Sequence, residues 1–216
     1  MHDTLIPTST RRGWAVAGIV GAAVGVVGLF FTAGLTIPGY DHQGDNEAYA
    51  AAIAGRAWYV WGAQVVTVFT AACLAVFAAG LRRSLATQEP AGSLVPRLAA
   101  AGVWLTVGML IVGGGISTEL YWALDGVERW DGDTIAAHTA IYNTMAWLWT
   151  GIGLTAAAVA VGGFRNGSVG RPFAMFSAVV AALMAVTQAA PIQYMSLLPG
   201  ALWLFVAGVR FVRTPG

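Results

Sequence analysis

Apolar residues in this chain run in long blocks separated by short polar breaks. Six stretches, residues 13–37, 46–81, 97–122, 134–162, 172–190 and 193–213, predict helices at or above the roughly 20 residues that cross a ~30 Å hydrocarbon core. Pro38-Gly39 ends the first. Asp45 or Asn46 caps the second, whose first turns through Arg56 exceed a bilayer and lie above or along the interface. Arg82-Arg83 stop it, and a loop with Pro90, Gly92 and Pro96 follows. Pro172 suits the first turn of the fifth helix. Pro199-Gly200 predicts a kink in the sixth. Gly18, Gly21, Gly25 and Gly28 offer small surfaces for close helix packing in the first.

Composition supports the same reading. The 216 residues are 57% hydrophobic and only 10% charged, with a mean hydropathy of +0.69. Soluble domains carry about 25% charged residues. The expected fold class is therefore all-α, a polytopic integral membrane bundle occupying residues 1–216 as one transmembrane domain. Arg11-Arg12 before an apolar run could mark an export signal, but the run is long enough to span and is read as a retained helix.

Arginine placement predicts orientation. Arg11, Arg12, Arg82, Arg83, Arg97, Arg165, Arg171, Arg210 and Arg213 share one side if the N-terminus is cytoplasmic, leaving Arg56 and Arg129 outside. The positive-inside rule then puts both termini in the cytoplasm of a multi-pass protein of the cell membrane. A net charge of +1 without a basic patch gives no sign of nucleic-acid binding. Cys73 alone makes no intrachain disulfide. His2, His42 and His138 join no carboxylates at metal spacing, and no phosphate-cradling glycine motif occurs, so neither metal nor cofactor is expected. Oligomeric state is not legible.

The chemistry concentrates in one layer. Counting about 1.5 Å per residue from each helix's cytoplasmic arginine, Gln64, Glu119, Asn143, Gln188 and Gln193 all lie about 26–33 Å away, in the outer third of the core. Aromatics gather there: Trp58, Trp61, Trp122, Tyr142, Trp147 and Tyr194 among them. His138 and Tyr142, four apart, share a helix face. Two readings compete. Tyr and Trp form belts at membrane interfaces, while amides bond neighbouring helices. Alternatively the layer is the polar end of an apolar pocket between helices two, three, four and six, open to the outer leaflet.

A pocket of this kind suits proton transfer to an apolar substrate. A carboxyl partly removed from water keeps its proton to higher pH, and aromatic faces stabilise a carbocation. Glu119 follows Gly113-Gly114-Gly115 and is the one carboxylate inside a predicted span, which makes it the preferred acid. Asp41, Asp45 and Asp125 in the outer loops are reserves. His138 or Asn143 would orient the carboxyl. Trp58, Trp61, Gln64, Trp122, Tyr142, Asn143, Trp147, Gln188 and Tyr194 would line the substrate site.

With Ser117-Thr118-Glu119-Leu120-Tyr121-Trp122 and the segment His138–Trp149 in view, the chain resembles the small membrane-embedded terpene cyclases of actinobacterial prenyl-indole pathways. The resemblance lies in size, scarcity of soluble loops and the acid-plus-aromatic layer. It implies cyclisation of a linear prenyl chain by protonation of an alkene or epoxide, without a metal, on a membrane-soluble prenylated small molecule in the bilayer. Sterol-isomerase-type membrane enzymes look similar in chemistry and differ in helix count. A scaffold, accessory or lipid-binding role without catalysis is the alternative. A transporter would need a polar path through the inner half, where only hydroxyls occur.

Overall fold

The computed structural model describes residues 12–42, 44–126, 130–144, 149–190 and 192–213, apart from the side chain of Gln193. Within them the chain forms eight α-helices and no strand. They are α1 (Gly13–Thr36), α2 (Asn46–Ile53), α3 (Ala57–Ala86), α4 (Val95–Leu124), α5 (Gly132–Asn143), α6 (Gly151–Asn166), α7 (Arg171–Ala189) and α8 (Leu197–Arg213). Short 3₁₀ turns at Ile37–His42 and Gln193–Ser196 lead out of α1 and into α8. Five segments are long and apolar enough to cross a membrane: Gly13–His42, Ala57–Ala86, Val95–Leu124, Arg171–Ala189 and Tyr194–Arg213. The chain is thus a multi-pass membrane protein by length and composition.

Two of the expected helices are broken. The expected 46–81 helix divides at Ala54-Gly55-Arg56, where Gly55 takes φ +72°, a left-handed turn open to glycine without strain. The expected 134–162 helix ends at Asn143 and restarts at Gly151. Thr144 contributes to the stop, its hydroxyl donating to the Ile141 carbonyl at 2.6 Å in place of helix continuation. The kink expected at Pro199-Gly200 is also absent. The helix starts at Leu197, so Pro199 falls in its first turn, where a missing N–H costs nothing. Gly113-Gly114-Gly115 remain within unbroken α4.

The long helices pack as a closed ring in the order α1, α3, α4, α6, α7, α8, with α8 returning to α1. Small residues permit the close approaches. Gly18 lies against Phe77, and Gly21 against Cys73 and Leu74, joining α1 to α3. Gly102 and Gly151 bring the backbones of α4 and α6 together, and the Thr155 hydroxyl crosses to the Ala99 carbonyl at 2.9 Å. Gly208 lies against Ala15 and Ile19 where α8 meets α1. Inside the ring, Trp149 is 2% exposed and presses on Gly25.

One end of the ring is closed by aromatics: Trp14, Phe77, Phe173 and Phe211 pack with centroids 5.2–6.3 Å apart in successive pairs. Arg210 lies over Phe173 at 5.0 Å. At the other end α2 and α5 lie side by side with adjacent N-termini. Asp45 caps α2 through Ala48 N–H at 3.0 Å, and Asp131 caps α5 through Thr134 N–H at 2.8 Å. The helices also cap each other: Gly132 N–H donates to Glu47 at 2.9 Å, and Asn46 donates to Asp133 at 2.7 Å. Backbone and side-chain hydrogen bonds from Thr134 hold the Asp131 carboxyl below its ordinary value. Burial pushes the Tyr49 phenol up, against an opposing hydrogen bond with Thr139.

Candidate functional site

The residues expected to form one pocket are distributed over several surfaces. Gln64 is half-buried and donates to the Gly114 carbonyl at 3.2 Å and the Thr118 hydroxyl at 3.0 Å. It therefore straps α3 to α4. Glu119, the next residue after that contact, is exposed and makes no hydrogen bond or ion pair among the described residues. On its helix face Gly115 and Trp122 flank it at four and three residues' distance. No atom beyond the glycine's own helix would meet a Cβ at Gly115, so the backbone there is bare.

Trp58, Trp61, Trp122 and Tyr194 are 51%, 58%, 42% and 54% exposed. Trp58 stacks beside Tyr59 at 3.8 Å between centroids, and Arg56 donates to the Gly34 carbonyl at 3.1 Å. Exposed aromatics with a snorkelling arginine make the arrangement of an interfacial belt. His138 is half-buried, with Nδ1 donating to the Thr134 carbonyl at 3.0 Å and its ring 4.6 Å from Trp130. Gln188 donates to the Ser196 hydroxyl at 2.9 Å, tying α7 to the turn before α8. Asn143 lines an open groove of about 240 Å³ beneath the cap, with Tyr40, His42, Asn46 and Tyr49. Asp41 and Asp125 are exposed. Trp147 and the Gln193 side chain lie outside the described residues.

Among the described residues these polar groups do not converge on one pocket. Gln64 meets Thr118, the neighbour of Glu119, but equal depth does not place side chains on facing surfaces. Among the described residues no three His, Cys, Asp or Glu side chains come together as a metal site.

A cleft does lie among the expected helices, lined by Ala63, Val66, Thr67 and Thr70 of the second, Leu110 of the third, Trp149 of the fourth and Leu197 of the sixth, with α1 as an added wall. Gly25, Gly28 and Leu29 supply one wall, and Ala63, Val66 and Leu110 the other. Its volume is about 50 Å³, and it is partly open. The polar residues of the lining are Thr32, Thr67 and Thr70. Thr32 donates to its own helix at the Gly28 carbonyl, 3.2 Å away. Thr67 is 7% and Thr70 1% exposed, and neither hydroxyl has a partner among the described residues. Just above, Tyr142 is 1% exposed, its hydroxyl beside Thr32 but without hydrogen-bond geometry.

Of the residues lining this cleft only Trp149 stands out in the sequence, as an aromatic too deep for an interfacial belt; the threonines do not. The signal was present: Gly25, Gly28 and Thr32 share a face of α1, and Gln64, Thr67 and Thr70 share a face of α3. Threonine is unremarkable in a membrane helix because its hydroxyl usually bonds the preceding turn. Only the fold reveals that two of them do not. No protein-family profile, no curated protein sequence and no solved structure matches the chain.

Proposed function

We propose that this is a multi-pass protein of the cell membrane that binds a membrane-soluble apolar molecule of prenyl-bearing type between α1, α3 and α4. The observation that carries this reading is the cleft itself: apolar walls, a Trp149 floor and unpartnered hydroxyls at its inner end. Ligand sites are concave and mostly apolar, with a few placed polar groups. Six crossings with both termini cytoplasmic complete the reading, α5 and α6 acting together as one broken crossing.

The test is to purify the protein from membranes and identify retained lipids by mass spectrometry. An isoprenoid should co-purify in stoichiometric amount with the wild type. Gly28→Leu, whose side chain grows toward Val66 across the cleft, should lose it. Recovery of bulk phospholipid alone from both proteins sinks the reading.

Proton-initiated cyclisation is the second reading, favoured by one feature. Glu119 is an uncompensated carboxylate beside bare backbone at Gly115 and within a turn of Trp122. An apolar chain lying along α4 could reach it directly from lipid. The acid would donate its proton to a terminal alkene or epoxide, and exposed tryptophans would stabilise the cation by about 0.5–2 kcal/mol each. Glu119→Gln keeps the shape and removes the acid, so chelator-insensitive cyclisation of a prenylated substrate should fall by orders of magnitude. An unchanged rate excludes Glu119 as the donor.

A further inference from the structure

We infer that the cleft recognises a neutral ligand by a single oxygen function, a hydroxyl or carbonyl, held between Thr67 and Thr70. The inference rests on the membrane-ligand reading above and specifies the chemistry of that site. Thr67 and Thr70 stand one turn apart on α3, so their side chains lie on one face about 5–6 Å apart at Cβ. Both are more than nine-tenths buried, and neither hydroxyl has a partner among the described residues. Thr32, Thr36, Thr106 and Thr139, in contrast, each return their hydroxyl to the carbonyl four residues earlier. The Thr70 oxygen is a buried hydroxyl left unpaired, which costs the molecule free energy and is explained by something that bonds to it, with Thr67 one turn away as the second contact.

Charge narrows what that can be. No Asp, Glu, His, Arg or Lys is among the described residues lining the cleft. A phosphate or carboxylate there would lose its water without gaining a counter-charge, which the low dielectric makes prohibitive. Thr70 is twelve residues from Arg82, hence about 18 Å along the helix and near the middle of a ~30 Å core. Ordinary phospholipid headgroups stay at the interface and do not reach that depth. A prenyl alcohol or an apolar ketone can bring its oxygen there at small cost.

Size fixes the pose. A volume of about 50 Å³ admits the oxygen and the first carbons, not a whole prenyl chain. The oxygen end therefore enters first, and the tail extends out of the cleft into lipid. Water is the competing occupant, because a cavity of this volume holds one or two molecules.

The experiment uses full-length protein in lipid nanodiscs and a diazirine-bearing prenyl alcohol as photoprobe. Competitors are the unlabelled alcohol, the matching hydrocarbon and the matching monophosphate. The alcohol should displace the probe about tenfold better than the hydrocarbon, the worth of roughly one hydrogen bond. The monophosphate should be the weakest of the three. Thr67→Val and Thr70→Val keep the shape and should abolish the preference for alcohol while leaving hydrocarbon competition unchanged. The unliganded Thr70→Val protein should melt no lower than the wild type, since only an unpaired hydroxyl is lost. Equal competition by alcohol and hydrocarbon in the wild type, or a preference that survives both variants, overturns the inference and leaves water as the occupant. Absence of any saturable labelling, by contrast, overturns the membrane-ligand reading on which it rests.

Discussion

Glu89 illustrates how a single carboxylate organises one end of the molecule. Its Oε2 accepts from Ser93 at 2.7 Å and from Asn166 at 2.6 Å, so the loop before α4 is tied to the end of α6. Burial pushes this carboxyl up, but the nearby Ser168 hydroxyl and hydrogen bonds from Ser93 and Asn166 together outweigh it and hold the group below its ordinary value of 4.5. By geometry Oε1 and the Ser168 hydroxyl just miss a hydrogen bond, though both crowd Gly162, so Ser93 and Asn166 carry the contact. A lowered carboxylate contributes stability above its unfolded value, and that stability is lost as pH falls through the folded one. The Glu89 contribution should thus be constant at neutral pH and fade below about pH 4.5. Glu89→Gln should cost about 1 kcal/mol at pH 7, a charge-assisted bond discounted for solvent screening. The difference from wild type should shrink in acid. Thermal unfolding in detergent at pH 7 and pH 4 measures both, and a cost independent of pH would remove the charge from the explanation.

At the scale of elements, what the sequence made legible is what hydropathy reports. The expected 13–37, 97–122 and 172–190 helices correspond to α1, α4 and α7 within two residues at each end. The missed breaks share a cause: neither Gly55-Arg56 nor Asn143–Gly151 is a polar gap long enough to announce a loop, although Arg56 marks where the second helix leaves the bilayer. A lone glycine and a threonine-bearing stop were the other local signals, and both are compatible with a continuous helix. The candidate site was legible in part, because residue depth follows from helical rise while side-chain direction depends on which helices meet. Thus Gln64 meets Thr118 as depth predicts, whereas Glu119, one position on, turns outward. Helix contacts also separate glycines that matter from those that do not. A Cβ at Gly102 would collide with backbone at Gly151, which cannot give way, whereas one at Gly108 would meet nothing. Gly102→Ala should therefore destabilise by about 2–3 kcal/mol as an overpacked crossing. Gly108→Ala should be neutral or stabilising by up to about 1 kcal/mol through helix propensity. Equal midpoints for both variants in a denaturing-detergent titration would contradict the α4–α6 crossing.

For the whole molecule, the ring carries a topological consequence. Glu89, between α3 and α4, touches Asn166 at the end of α6, so those two loops share one end. Trp14 and Phe211 meet at 5.2 Å, and Phe173 meets Phe211 at 6.3 Å, which puts the start of α1, the start of α7 and the end of α8 together. The cap of α2 and α5 closes the end where α4 finishes. Under the six-crossing proposal, the segment from Gly132 to Asn166 carries the chain from the cap to the α6 end as the sixth passage, although neither piece alone is long enough to count as a span. The same proposal, through the positive-inside rule, puts the arginine-rich end with Arg82, Arg83, Arg97, Arg165 and Arg171 on the cytoplasmic side. Single cysteines in a Cys73→Ser background test both statements. Ala91 and Gly170 are exposed at the arginine-rich end, and Ala51 and Ala137 are exposed on the cap. Ala91→Cys and Gly170→Cys should react with an impermeant maleimide only from the cytoplasmic side, and Ala51→Cys and Ala137→Cys only from outside. Reversal of all four would invert the orientation and keep the fold. Labelling of Ala91→Cys and Gly170→Cys from opposite sides would eliminate the broken sixth passage, because two loops bridged by Glu89 and Asn166 cannot lie across the membrane from each other.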